Sequence, residues 1–317
     1  MSETADYSPG DWKGYDFGAA RQSYDQHAGR AYNNAVASNK KALDMVPKNL
    51  KTDCQAPVVI VCDVTGSMGD WPATIFSKLP YLDNEAKEYL GEDYSISYAA
   101  NADQSDSYPL QVRDFVKGRQ MEEELKQFII GGGAGSDHAH ESYELAATYY
   151  ARNVDMPNAK HPILIFICDE HFNNSISPEL AKLAHVNLEA TTKSKDIFEE
   201  LKNKFAVYAI RKPYSGLDSK IIKQWTEVLG DDHIAELPSA DRVVDVIFGI
   251  LAKETNKIDY FRTEIEDRQR KDQIDTVYKS LKTIHALPKV VDDGSGKSLM
   301  ITHMKGTATK KLLPARK

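Results

Sequence analysis

Residues 58–74 read VVIVCDVTGSMGDWPAT. An apolar run ends at Asp63, and two hydroxyl side chains, Thr65 and Ser67, follow at every second position. Three oxygen side chains at i, i+2 and i+4 of a loop can converge on one hard cation, because such ions prefer carboxylate, hydroxyl and water oxygens. A second apolar run ends the same way: ILIFICDEHFNN, 163–174, brings Asp169 to its tip. IVCD and FICD are near-copies, so if the two strands are neighbours their aspartates lie side by side. A third oxygen source is the loop GGGAGSDHAHES, 131–142, whose glycines permit close backbone approach and which brings Ser136, Asp137 and Glu141 toward the same rim. Carboxylates held together repel unless they are protonated or neutralised by a cation. The chemistry these residue types point to is divalent-cation binding by Asp63, Thr65, Ser67 and Asp169, with Ser136 or Asp137 assisting.

The elements that would position these residues follow from hydrophobic patterning. Apolar runs of strand length occur at 58–62, 94–100, 163–168, 205–210 and 233–237, and helical stretches are expected at about 74–90, 141–153, 178–190, 217–229 and 240–253. Ser177 before Pro178-Glu179 has the form of a capped helix start. Strands that are apolar throughout and alternate with helices imply a mainly parallel sheet covered on both faces. Residues 110–115, LQVRDF, follow 94–100 after a short polar loop and are expected to pair with it as an antiparallel hairpin. Four segments are expected: an N-terminal extension over 1–55 with a helix at about 21–45, the α/β domain over 56–255, one charged helix over 256–288, and a basic tail over 289–317. Tyr260, Phe261, Ile265, Ile274 and Tyr278 of the charged helix form an apolar set able to dock on the main domain or a partner. KVVDDGSGKSLMITHM reads as two short strands around a polar turn.

The 317 residues carry a net charge of −7, with 41% hydrophobic and 27% charged residues. These values are those of an ordinary soluble protein and give no reason to expect nucleic acid or an anionic membrane as the main partner. The polar N-terminus has no secretory pattern, and no apolar run is long enough for a membrane span. Cys54, Cys62 and Cys168 form no disulfide framework, which fits a reducing, cytoplasmic setting. Histidines make a rival constellation, with His138, His140 and Glu141 beside Asp169, Glu170 and His171; imidazole with carboxylate suits a hydrolytic metal. GSGKS at 294–298 lacks the glycine that a phosphate loop needs where Val291 stands.

Asp63-Val64-Thr65-Gly66-Ser67-Met68 resembles the D-x-[ST]-G-S-M signature of von Willebrand factor A (vWA) domains, and Asp169 matches that family's later strand-end aspartate. The resemblance covers about residues 56–252. It implies a doubly wound, mostly parallel, Rossmann-like sheet with one antiparallel edge strand, a metal-ion-dependent adhesion site (MIDAS) binding Mg2+ or Mn2+ atop the sheet, and recognition of a protein partner whose carboxylate completes the metal's coordination. It also implies an intracellular adaptor working alongside an AAA+ ATPase or kinase system rather than an enzyme. One departure stands out. The family commonly places a threonine in the loop before the central helix, and 131–142 has none; it is similar to the branch with an acidic, glycine-rich loop, in which Ser136 or Asp137 would substitute. The other readings are a metal-dependent hydrolase using the histidine-rich rim, and a structural protein whose extensions drive oligomerisation.

Overall fold

The computed structural model describes residues 41–129, 140–214, 216–285, 290–292, 298–300 and 311–312. The expected helix at 21–45 therefore lies outside the described residues except for a 3-10 turn at Ala42–Met45. At the centre is a six-stranded sheet in the order β12-β11-β7-β2-β3-β4. Its strands are β2 (Ala56–Asp63), β3 (Tyr94–Asn101), β4 (Leu110–Val112), β7 (Ile163–Cys168), β11 (Ala206–Arg211) and β12 (Ile234–Glu236). All neighbours run parallel except β3 and β4, the antiparallel hairpin at the edge. Short pairs flank it: β1 (Leu50–Lys51) with β6 (Val154–Asp155), β5 (His140–Glu141) with β8 (His171–Phe172), and β9 (Ser175–Ile176) with β10 (Thr192–Lys193).

The sheet is doubly wound. Alternation along β2 sends Val58, Ile60 and Cys62 to one face and Val59 and Val61 to the other, and all five are buried. The first face packs on α1 (Trp71–Ser77), α2 (Leu79–Leu90) and α8 (Val243–Glu254) through Trp71, Leu82, Ala86, Tyr89, Ile247 and Phe248. α3 (Gln120–Leu125) adds Met121 and Leu125 there. The second face packs on α4 (Tyr143–Arg152), α6 (Ser194–Lys202) and α7 (Asp218–Leu229), with Trp225 and Phe198 fully buried against Phe166 of the central strand. From β2 the chain winds outward to β3 and β4, then returns to β7 on the other side of β2 and continues to β11 and β12. Strand order reverses between β2 and β7, and a crevice at the carboxyl ends of the strands follows from that topology.

Three expectations are corrected. The helix at 74–90 is two helices meeting at Lys78, because Pro80 lies in the first turn of α2 and has no N–H for a continuous helical ladder. The helix at 178–190 is only α5 (Pro178–Ala181) and a 3-10 turn to Ala184, ended by His185 in the left-handed region at φ 53°. Its expected cap is nonetheless present, with Ser177 Oγ accepting from Leu180 N at 3.1 Å, and the helix of that crossover is α6. The single charged helix is two, α9 (Ile258–Arg268) and α10 (Lys271–Ser280). They part at Gln269, which is extended and buried and accepts from Arg242 Nη1 at 2.8 Å.

Phe261 and Ile265 are buried in the first-face core, and Tyr260, Ile274 and Tyr278 pack against it. This explains why α8 is buried along Val243–Ala252: the sheet covers one side, α9 and α10 the other. One compact unit runs to Ile284; a second, His285–Lys317, contains β13 (Val290–Asp292), β14 (Ser298–Met300) and β15 (Lys311–Leu312) in an antiparallel sheet. The pairing of 290–292 with 298–300 is the hairpin expected from the sequence. Among the described residues no helix is long and apolar enough to cross a membrane.

Candidate metal centre

β2 ends at Asp63 and β7 one residue before Asp169, and the register sets Cys62 opposite Ile167. The two aspartates therefore emerge side by side at the switch point, both fully buried. After Asp63 the chain folds into an Asx turn, in which Asp63 Oδ1 accepts from Thr65 N at 2.8 Å and from Thr65 Oγ1 at 2.6 Å. A 3-10 turn over Gly66–Met68 follows, anchored by the fully buried Met68. It places Ser67 Oγ 3.2 Å from Thr65 Oγ1 and lets it donate to Asp169 Oδ1 at 3.2 Å. One hydrogen-bonded chain, Asp63–Thr65–Ser67–Asp169, thus crosses the crevice. The glycine this turn requires is Gly69, at φ 58°, rather than Gly66.

The other expected contributors, Ser136 and Asp137, lie outside the described residues, as does His138. Their loop re-enters the described chain at His140, and three bonds hold it there. β5 lies parallel to β8 with Glu141 opposite Phe172; Ser142 N donates to Ala102 O at 3.3 Å; and the Asn101 amide, in the orientation that satisfies both its ends, donates to Ser142 O at 3.0 Å. Glu141 is thereby buried at the rim, 5% exposed, and α4 starts where the Tyr143 hydroxyl donates to Asp63 Oδ2.

The electrostatics are those of gathered carboxylates with little to offset them. Burial first, then repulsion from Asp63 and Glu170, pushes Asp169 up to about 8. Burial and Asp63 push Glu141 up to about 10, and burial and Asp63 push Glu170 up to about 7. Asp63 is raised by burial against the pull of its bonds from Thr65 and Tyr143. The cation acting on this group is Lys212, whose Nζ donates to Ser67 O and lies 3.9 Å from Asp169 Oδ2. Its loop is pinned by Asp218 Oδ1, which accepts from Arg211 Nη2 at 2.7 Å and from Tyr214 N at 2.8 Å. Among the described residues three buried oxygens at the centre have no hydrogen-bond partner: Asp169 Oδ2, Glu141 Oε2 and Ser142 Oγ. Carboxylate and hydroxyl oxygens, some unsatisfied and all short of positive charge, are the donor chemistry a hard divalent cation takes.

Sequence reasoning missed Lys212, Tyr143 and Asn101. Two of them were within reach of its own rule: Lys212 follows β11 and Asn101 ends β3, both at the carboxyl edge of the sheet that carries the aspartates. The histidines behave differently. His140 and His171 stack at 5.2 Å between ring centroids, and His171 Nδ1 is 3.0 Å from Gln224 Oε1. Among the described residues no three His, Cys, Asp or Glu side chains form a metal-holding group by themselves, so a cation here draws on the hydroxyls as well. Cys62 and Cys168 are buried in their strands, and burial raises both thiols well above their usual range, which removes them as nucleophiles.

No protein-family model and no curated protein matches the chain. Solved structures similar to it include the pilus adhesin SpaC from Lactobacillus rhamnosus GG, 11% identical, with a TM-score of 0.44 over 69% of this chain and 31% of the adhesin. Another is proximal thread matrix protein 1 from the mussel byssus, in a form with a zinc-occupied MIDAS motif, 13% identical, with a TM-score of 0.40 over 63% of this chain and 45% of that protein. The chain thus spans less than half the length of each.

Proposed function

We propose that the chain is a vWA-type protein-recognition module. A divalent cation, Mg2+ or Mn2+, is held between Asp63, Thr65, Ser67 and Asp169, and a carboxylate from the partner completes its coordination. The observation that carries this reading is the continuous line of two carboxylates and two hydroxyls across the switch point, ending in the buried Asp169 Oδ2, which accepts no hydrogen bond among the described residues. Within it the chain's own residues divide the work. Thr65 and Ser67 offer hydroxyl oxygens, Tyr143 and the Thr65 amide orient Asp63, and Lys212 moderates the negative charge at Asp169. When bound, the cation supplies a Lewis-acidic position for an anionic partner group. The partner is a protein of an intracellular AAA+ ATPase or kinase system, with this chain as a non-enzymatic adaptor.

Calorimetric titration of the chelator-stripped protein with Mg2+ and Mn2+ tests the cation. Saturable binding in the wild type that disappears in Asp63→Ala is the expected result; a wild type that binds neither ion overturns the reading.

A further inference from the structure

We infer that Lys212 competes with the divalent cation for Asp169, so that either of two positive charges can close this side of the cleft and the affinity for metal is set by their difference. This rests on the cation reading above and adds its regulation. The lysine is put in place by the strands. β11 and β7 run parallel with Arg211 opposite Cys168, so the next residue is Lys212 on one strand and Asp169 on the other. Lys212 N donates to Cys168 O at 2.9 Å, which carries the pairing one step past the sheet. Pro213 disfavours helical backbone at the residue before it, which suits a lysine that continues its strand. The neighbouring cation is committed elsewhere: the Arg211 guanidinium donates to Asp218 Oδ1 at 2.7 Å and lies 4.0 Å from Glu236 Oε2.

The Lys212 ammonium reaches two of the four residues assigned to the cation. Nζ donates to Ser67 O and lies 3.9 Å from Asp169 Oδ2, the oxygen that accepts no hydrogen bond among the described residues. A divalent cation on that oxygen and an ammonium beside it are like charges sharing one carboxylate. The lysine side chain is 27% exposed and the aspartate's 1%, so water screens little of the repulsion. At 3.9 Å the ammonium is held to Asp169 by charge rather than by a directed hydrogen bond, and its four-carbon stem is flexible enough to swing it away. A buried carboxylate without a counter-charge weakens a fold, and Lys212 offsets that cost when divalent cation is scarce. The same ammonium lowers the affinity for the cation, which has to displace it or bind against it. The site therefore fills only where divalent cation is plentiful, and its loading follows the cation concentration.

The test uses the full chain, Mn2+ alone as probe, and two readouts: calorimetric affinity after chelator has been removed, and melting temperature in chelator. Lys212→Met keeps the apolar stem and removes the charge. It is expected to bind Mn2+ about tenfold or more tightly than the wild type, and to melt at a lower temperature in chelator. Lys212→Gln removes the charge but keeps a donor for Ser67 O; it should shift both readouts the same way and carries the test if the first variant does not fold. Lys212→Arg restores the charge and should bring the affinity back toward the wild-type value. If Lys212 serves only to hold the Ser67 turn, the methionine variant binds Mn2+ more weakly, which overturns the inference. Unchanged affinity in both neutral variants overturns it too, as does melting in chelator that does not fall. In each of these cases, wild-type binding that is lost in Asp63→Ala leaves the cation reading standing. No saturable binding in the wild type or in either neutral variant brings down both.

Discussion

Among the buried acids, Glu144 isolates one ionisation away from the cation site. It is fully buried in α4, and its two oxygens accept from Asn173 N at 3.0 Å and Asn173 Nδ2 at 2.9 Å, holding the turn between β8 and β9. Those bonds favour the carboxylate, but burial outweighs them, with Asp103 adding repulsion, and the group rises from 4.5 to about 7. The native state therefore keeps a proton that the unfolded chain releases, so stability falls as pH rises between the two values and levels off above the higher one. For a buried group the fall is on the order of 3 kcal/mol. Urea unfolding in chelator should show the stability difference between wild type and Glu144→Gln shrinking from pH 4.5 to 7; a difference that stays flat would mean an ordinary carboxyl. Nothing in YELAATYY announces this role, because the partner Asn173 comes from a turn 29 residues on. Asp63, Thr65 and Ser67 were legible for the opposite reason: their geometry is local, one Asx turn and one 3-10 turn closing within the six residues Asp63–Met68.

At the scale of elements, the strands were readable and several helices were not. β2, β7 and β11 are near-continuous apolar runs up to their carboxyl ends because both faces are covered, and a buried strand of that kind leaves a mark in the sequence. α6 was missed because its apolar face is only Ile197, Phe198 and Leu201 within SKDIFEELK, while the stronger start signal at Ser177-Pro178 opens a helix of one turn. The break between α9 and α10 was hidden for another reason: Gln269 leaves the helix to meet Arg242 on a helix turn earlier in the chain. That packing has a sharp test at Gly249 of α8. A Cβ there would lie 2.1 Å from Leu281 Cδ1 and 3.1 Å from Leu281 Cγ, and Leu281 is itself buried. Helix propensity alone favours alanine by about 1 kcal/mol. Overpacking costs about 1–3 kcal/mol, so the balance for Gly249→Ala is a destabilisation of up to about 2 kcal/mol in denaturant unfolding. In a Leu281→Ala background the same substitution should become neutral or stabilising, because the two changes share one space. Equal effects in both backgrounds would mean that the end of α10 does not pack on α8.

The first compact unit is a sheet with a separate core on each face, and the first-face core is closed by the end of that unit. Composition and net charge are silent on this, since the segment after Asn256 is as charged as a solvated helix; only its sparse apolar residues, spaced to fall on one side, mark it as a cover. The cover ends at a definite residue. Ile284 is fully buried, its carbonyl accepts from Lys253 Nζ at 2.6 Å, and Thr283 Oγ1 donates to Ile234 O at 3.0 Å, tying the segment to α8 and to the edge strand β12. A chain ending at Lys282 loses all three of these interactions, and one ending at His285 keeps them. The shorter chain should therefore be less stable than the longer by about 2–5 kcal/mol, the cost of emptying a buried aliphatic site. Because the lost residues lie far along the chain from Asp63 and Asp169, the midpoint of unfolding should shift while calorimetric Mn2+ affinity in the folded state stays the same. Two chains with equal midpoints would place the boundary of the fold before Thr283 and leave α8 with less cover than its ten buried residues require.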